Sequence, residues 1–302
     1  MKILLTGASG LVGSAFARLA AAQGHEVIGV VGRWSETVPG TTGLLARDLT
    51  QRDAAAELVR GIRPDAIVNA AAVSEPAACE AAPERSQQLN VDFPAALAIA
   101  AAATPTRLLH LSSEQVFDGE HAPYSALDRP APLNLYGRQK RASEERVLAA
   151  HPAAAVVRIP LLLGNSLTSR RSVHEKLFEL WQTGQPARLY VDEMRQVCSA
   201  DSVATMLLAL AARPDLGGIF HWAGHTAISR HELGRRIALR FGVAAERLVA
   251  VRRSDTPEIS AKRARDLSMH TEPLARELGL TPESPDEAIA LLQRPRWAAN
   301  VA

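Results

Sequence analysis

The apolar run Ile3-Leu4-Leu5 stops at Thr6 and runs straight into Gly7-Ala8-Ser9-Gly10-Leu11-Val12-Gly13, after which Leu11 to Gln23 carries a helical, alanine-rich pattern. A strand that feeds a glycine turn and then a helix leaves few architectures open. Gly7 can make the tight turn, Gly10 lets a backbone come close to a pyrophosphate, and Gly13 allows the helix to pack closely on the strand. The helix N-terminus that follows offers free N–H groups and partial positive charge to phosphates. In this strand–turn–helix context the turn reads as a dinucleotide cradle rather than a plain structural bend, with Gly7, Ser9, Gly10, Leu11, Val12 and Gly13 as its cofactor-binding residues.

The rhythm continues. Glu26 to Val31 is strand-like, as are Ala66 to Asn69, Arg107 to Leu111 and Ala154 to Arg158, and helical stretches separate them at Arg52 to Arg60, Glu84 to Ala103 and Tyr136 to Ala149. Strands alternating with helices imply a parallel sheet covered on both faces, an α/β, Rossmann-like doubly wound fold. Beyond Gly164 the pattern loosens into helical Val173 to Thr183, strand-like Ala187 to Val191, and helical Ser202 to Ala212 and Ser229 to Phe241. We therefore expect a dinucleotide-binding domain over 1–164 and a smaller α/β C-terminal substrate lobe over 165–302, partly interleaved with the sheet.

The 34 basic and 32 acidic residues nearly balance, and the one short basic stretch is Lys262-Arg263-Ala264-Arg265, so nucleic acid is not implied. Cys79 and Cys198 stand far apart and form no metal or disulfide framework. No apolar run has the length of a signal or membrane-spanning segment. These features point to the cytoplasm.

The second strand ends in Gly32-Arg33, with no carboxylate before Glu36. An acidic residue there would bind a ribose 2′-hydroxyl and an arginine a 2′-phosphate, so NADP(H) is favoured over NAD(H), unless Arg33 is an ordinary surface arginine. Trp34 either covers the adenine or is a partly exposed hydrophobe.

Tyr136 and Lys140 stand at i and i+4, on one face of a helix. A neighbouring ammonium favours phenolate, which would lower a tyrosine pKa from about 10 towards the range useful for proton transfer. Ser112-Ser113 ends the Leu108-to-Leu111 strand, where ligands bind in open α/β sheets. A serine there can polarise a carbonyl while Tyr136 donates a proton.

These segments resemble the extended short-chain dehydrogenase/reductases, and within them the dTDP-4-dehydrorhamnose reductase family. Ser112-Ser113-Glu114-Gln115-Val116-Phe117-Asp118-Gly119 is similar to that family's Ser-Thr-Asp-Tyr-Val-Phe-x-Gly, and Pro132-Leu133-Asn134-Leu135-Tyr136-Gly137 with Lys140 and Glu144 to its Pro-Leu-Asn-x-Tyr-Gly-x-x-Lys-x-x-x-Glu. Asp48-Leu49 resembles the adenine-contacting pair, Asn69-Ala70-Ala71-Ala72 the segment after the fourth strand, and Asn90 the helix asparagine that supports the site. Arg158 with Gly164 fits a further family strand, and Arg265 to Met269 a C-terminal motif. The resemblance implies Ser113, Tyr136 and Lys140 as catalytic residues, with Ser112 as the backup should the register be one off. With Arg33 from the end of the second strand, cofactor contacts are expected from Asp48, Leu49, Ala70, Ala71, Ala72, Asn90, Tyr136 and Lys140, and substrate contacts from Ser74, Gln115, Val116, Pro160 and Arg195. The resemblance also implies a nucleotide-sugar substrate and allows a homodimer.

Departures fall on the substrate side: Glu114-Gln115 replaces Asp-Tyr, Pro160-Leu161 replaces a Ser-Trp-type pair, and Arg195-Gln196-Val197-Cys198 replaces a Gly-x-Pro-Thr-type loop. Arg195 is either a bidentate diphosphate ligand or a solvated loop residue. The family reading is NAD(P)H-dependent reduction of a 4-keto-6-deoxy nucleotide sugar. The same chemistry on another carbonyl or alcohol is open, as is an NADP-binding regulatory role resembling that of the methionine adenosyltransferase regulatory subunit. His221-Trp222-Ala223-Gly224-His225 lacks a third ligand and reads as packing rather than metal binding, and His121, on the loop ahead of Tyr136, is a surface residue unless it touches substrate.

Overall fold

Alternation along the first strand, β1 (Lys2–Thr6), decides how the sheet is covered: Ile3 and Leu5 enter one core layer and Leu4 the other, all fully buried. Successive strand residues point to opposite faces, so a strand that is apolar throughout must be covered on both. In the computed structural model, which describes residues 1–298, that covering is complete. The first half runs β1, α1 (Leu11–Ala22), β2 (Glu26–Val31), β3 (Gly43–Ala46), α2 (Ala54–Ile62), β4 (Ala66–Asn69), α3 (Pro76–Ala81), α4 (Pro83–Gln87), α5 (Phe93–Ala102), β5 (Arg107–Ser113), α6 (Leu135–Ala150) and β6 (Ala155–Ile159). The second half adds β7 (Leu162–Leu163), α7 (Val173–Gln182), β8 (Ala187–Tyr190), β9 (Met194–Arg195), β10 (Cys198–Ser199), α8 (Ala200–Ala211), β11 (Gly218–His221), β12 (Ile228–Ser229), α9 (Arg230–Phe241), β13 (Leu248–Val251), α10 (Pro257–Ser260), α11 (Glu272–Leu278) and α12 (Pro285–Ala290).

The expected α/β fold with a doubly wound parallel sheet is what forms. Seven strands lie in the order β11-β6-β5-β4-β1-β2-β3, each pair parallel. The winding reverses between β1 and β4, and such a switch point opens a crevice at the carboxyl ends of the strands. One face is packed by α1 and α8, the other by α2, α5 and α6.

Three local features refine the expectations. The helix expected over Glu84 to Ala103 forms as one continuous helical run, with a π turn at Gln88–Asp92 joining α4 to α5. Pro94 accounts for the π turn, since it has no N–H to return to the carbonyl four residues earlier, at Asn90. The strand expected over Arg107 to Leu111, with Ser112-Ser113 at its end, includes both serines, which pair with Arg158 and Ile159. The edge strands β3 and β11, both short, were not anticipated.

After Gly164 the chain builds a second core around Leu177, Phe178, Trp181, Val197, Leu233 and Ile237. It then returns to the sheet: α8 buries Val203, Met206, Leu207 and Leu210 in the same layer as Phe16, and β11 pairs with β6. Residues 299–302, the end of the expected C-terminal lobe, lie outside the described residues. No described helix is long and apolar enough to cross a membrane.

Candidate active site

A cavity of about 690 Å³ opens over the carboxyl ends of the strands, with the glycine turn on one side and Ser113, Tyr136 and Lys140 on its wall. The turn is built for close approach. Gly7 has φ +70°, and a Cβ there would sit 2.7 Å from the backbone of Ala70 and Ala71; one on Gly13 would sit 2.2 Å from the Gly7 carbonyl oxygen. The turn is thus pressed against the end of β4, where no side chain fits. The first turn of α1 has no acidic residue and no side-chain cap, so the N–H groups of Leu11, Val12 and Gly13, all on the cavity wall, are left for an anionic ligand. This arrangement fits the diphosphate of a dinucleotide.

Ser113 is placed by the last residue of β5, and Tyr136 and Lys140 by α6. The helix starts where it does because Asn134 caps it, accepting from the Gly137 N–H at 2.9 Å. Asn134 also donates from Nδ2 to Gln115 Oε1 at 3.0 Å. A Cβ on Gly137 would meet the Gln115 carbonyl oxygen at 2.1 Å, so only glycine lets the helix start press against the turn after Ser113. Tyr136 is brought beside Ser113 by that contact.

Burial pushes the Tyr136 phenol up to about 12, against a hydrogen bond with Ser113 that acts the other way. The expected lowering by Lys140 is not what this pocket produces. Lys140 Nζ donates to the Leu111 carbonyl at 2.6 Å, and burial brings its own pKa down to about 8 although Glu144 pulls it up. Desolvation outweighs the Ser113 hydrogen bond, and the phenol is held protonated at neutral pH.

Polar threads lock this wall. Glu144, one turn beyond Lys140, receives two guanidinium bonds from Arg158 of β6, at 2.9 and 2.7 Å, and the Ser112 hydroxyl also donates to it. Arg158 in turn lies 5.0 Å from the centroid of Phe117. A second thread joins Thr6 to Asn69, Asn69 to His110 and His110 to Ser143 on α6. Both serines line the cavity, but the Ser112 hydroxyl is committed to Glu144, which leaves Ser113 as the serine free to meet a ligand.

Among the other sequence-derived residues, Ser9, Gly10, Ala70, Ala71, Ala72, Ser74, Gln115, Pro160 and Arg195 line the cavity. Val116 does not: it is fully buried in a cluster with Phe117 and Tyr124. Asn90 is likewise buried behind the wall, where its amide accepts from the Val73 N–H and donates to the Val73 carbonyl and to Gln139. It holds the segment after β4 against α6. Arg33, Asp48 and Leu49 lie outside the cavity. The Arg33 and Arg85 charges lie near enough to help hold the Asp48 carboxyl below its usual value, after the larger contribution from its hydrogen bonds to Thr50.

Arg195 is no solvated loop residue. It is buried and paired with Glu114 at 3.3 Å and Glu193 at 3.0 Å. Burial raises the Glu114 carboxyl to about 8 despite the Arg195 charge. Burial works the same way on Glu193, yet hydrogen bonds and charge from Arg263, with Arg195 and Arg230, hold it below its usual value. Glu193, Arg230 and Arg263 were not picked out from the sequence, although Arg263 belongs to the one basic stretch that stood out in it. His221 is buried edge-on to Phe117 and beside Arg158.

A doubly wound sheet with this glycine turn and a Ser113, Tyr136, Lys140 wall defines an extended short-chain dehydrogenase/reductase. The chain belongs to the RmlD substrate binding domain family, whose profile matches residues 1–294. It is 32% identical over 289 residues to methionine adenosyltransferase 2 subunit beta of Pongo abelii, covering 94% of this chain and 84% of that one. It is 28% identical over 300 residues to a probable low-salt glycan biosynthesis reductase of Haloferax volcanii, covering 97% of each. In three dimensions it is similar to dTDP-4-dehydrorhamnose reductase of Bacillus anthracis in complex with NADP, with a TM-score of 0.81 at 19% identity over 95% of this chain and 96% of the other.

Proposed function

We propose that the protein is an NADP(H)-dependent reductase acting on a keto group of a nucleotide-linked sugar, a 4-keto-6-deoxy sugar in the first instance. The observation that carries this reading is the convergence of Ser113, Tyr136 and Lys140 on the cavity that also holds the glycine turn. The turn and the α1 N-terminus hold the diphosphate of the cofactor, and Arg33 takes the 2′-phosphate. Bound there, a reduced nicotinamide supplies hydride. Ser113 polarises the substrate carbonyl, and Tyr136, kept protonated by burial, gives its proton to the carbonyl oxygen as the alkoxide forms. Lys140, with a pKa brought near neutrality, restores that proton and is in reach of ribose hydroxyls. Residues 1–164 serve the cofactor and the later lobe the substrate, in a cytoplasmic enzyme that can pair as a homodimer.

A second reading has a specific observation behind it. The 32% identity to methionine adenosyltransferase 2 subunit beta favours a protein that binds the dinucleotide as a subunit of another enzyme, without turnover. One experiment separates the two. Nicotinamide fluorescence is followed as NADPH or NADH is added, and then absorbance as dTDP-4-dehydrorhamnose is added. The reductase reading expects tighter NADPH binding, substrate-dependent oxidation, and a Tyr136→Phe variant that binds NADPH normally and turns over at least roughly a hundredfold more slowly. Tight binding with no oxidation on any keto sugar would favour the subunit reading; undiminished turnover by Tyr136→Phe would remove the phenol from the mechanism.

A further inference from the structure

The cavity wall also carries an arrangement that the redox step does not use. Three guanidinium groups reach it, from Arg195, Arg230 and Arg263. Two already have carboxylate partners: Arg195 is paired with Glu114 and Glu193, and Arg263 with both oxygens of Glu193 at 2.7 and 2.8 Å. The third is not. Arg230, the first residue of α9, is anchored through its backbone, whose N–H donates to the Glu193 carbonyl at 2.9 Å. Its guanidinium has no hydrogen bond or ion pair among the described residues, and its Nη1 is a buried donor with no acceptor. Buried donors are almost always satisfied in folded proteins, so one left open on a cavity wall points to a ligand.

The charge around it says which kind. Seven cationic side chains line the cavity against three carboxylates. Of the two carboxylates nearest, Glu193 is consumed by Arg195 and Arg263. Burial drives Glu114 towards its neutral form, and its Oε2 is likewise buried without a partner. A neutral acid and a guanidinium both offer N–H or O–H donors, and what satisfies two donors is an acceptor with charge.

We propose that Arg230 is the anion receptor of this cavity, binding a phosphate or carboxylate oxygen of the substrate, while Arg195 is a buried structural ion. The proposal rests on the reading of the cavity as a substrate site, not on the reduction itself. Two sources present the same chemistry: the diphosphate of a nucleotide sugar, and a carboxylate on the sugar.

Titration calorimetry of the full-length protein with dTDP, UDP-glucose and UDP-glucuronate separates them, with Arg230→Gln and, as a test of generic charge, Lys262→Gln, which removes an exposed cation of the same wall. NADPH affinity and thermal midpoint check that each variant is folded. Arg230→Gln is expected to weaken at least one ligand by about tenfold or more, as loss of a charge-assisted bond does, with Lys262→Gln changing it by less than about threefold. A loss shared by all three ligands identifies the diphosphate; a loss confined to UDP-glucuronate identifies the carboxylate. Wild-type affinity in Arg230→Gln, an equal loss in Lys262→Gln, or no binding of any of the three to the wild type would overturn the proposal. Arg230-dependent binding in a protein that oxidises no NADPH would leave the receptor standing and remove the reductase reading.

Discussion

Glu114 and Lys140 sit on one cavity wall with burial acting on each to favour its neutral form. For Glu114 the consequence for stability has a definite sign. Its carboxyl is raised from 4.5 to about 8 on folding, so the folded chain holds a proton that the unfolded chain has lost. Its contribution is fully present below about pH 4.5 and is lost as pH rises through about 8. Glu114→Gln removes that linkage. Urea unfolding at a series of pH values should show wild type losing stability relative to Glu114→Gln between pH 5 and pH 8, by at least about 1.4 kcal/mol, the linkage of one pKa unit. Parallel curves would mean that Glu114 is ionised throughout, held so by Arg195. Glu114 was visible in the sequence as a departure from Asp, and Ser113, Tyr136 and Lys140 by their spacing and strand-end position. Glu193 and Arg230 were not, because nothing in a linear sequence says that the loop before β9 and the start of α9 converge on the turn after β5. Tyr136 shows the same limit: the i, i+4 spacing was legible, but the lysine bonds the Leu111 carbonyl and burial sets the phenol.

At the scale of elements, the position of α6 decides whether the site exists, because that helix carries both Tyr136 and Lys140. Its third group on the same side, Glu144, ties it to β6 through Arg158, with both side chains no more than 2% exposed. Breaking a buried pair strands a charge, whereas replacing both members by apolar groups does not. Arg158→Met should therefore destabilise by about 3 to 5 kcal/mol in urea unfolding, and Glu144→Leu/Arg158→Met should recover much of that. A single variant as stable as wild type would show that Ser112 alone satisfies Glu144. Long, strongly periodic elements such as α1, α6 and β5 were legible, with bounds shifted by a residue or two. What was not legible has physical causes: Pro94 introduces a π turn where helical periodicity is otherwise continuous, and β3 and β11, four residues each, are strands only because a neighbouring edge was there to pair with.

For the whole molecule, the sharpest consequence lies in how the second half of the chain completes the first. The glycine turn, β5 and α6 all precede Gly164, and a fragment ending there holds every residue assigned to the cofactor and to the reaction. Yet α8, far beyond it, contributes Val203, Met206, Leu207 and Leu210 to the layer that covers α1 and β1, all fully buried. Each such side chain is worth about 1.5 to 3 kcal/mol of burial. Together they reach roughly 6 to 12 kcal/mol, the size of the entire stability of a typical domain, about 5 to 15 kcal/mol. Removing β11 also leaves the β6 edge unpaired, an invitation to aggregate. The fragment 1–164 should consequently show no cooperative thermal transition by circular dichroism and no enhancement of NADPH fluorescence. The outcome that would sink this is a fragment that melts cooperatively and binds NADPH as the full chain does. The sheet half would then be self-sufficient, and α8 an outer layer added to a finished core.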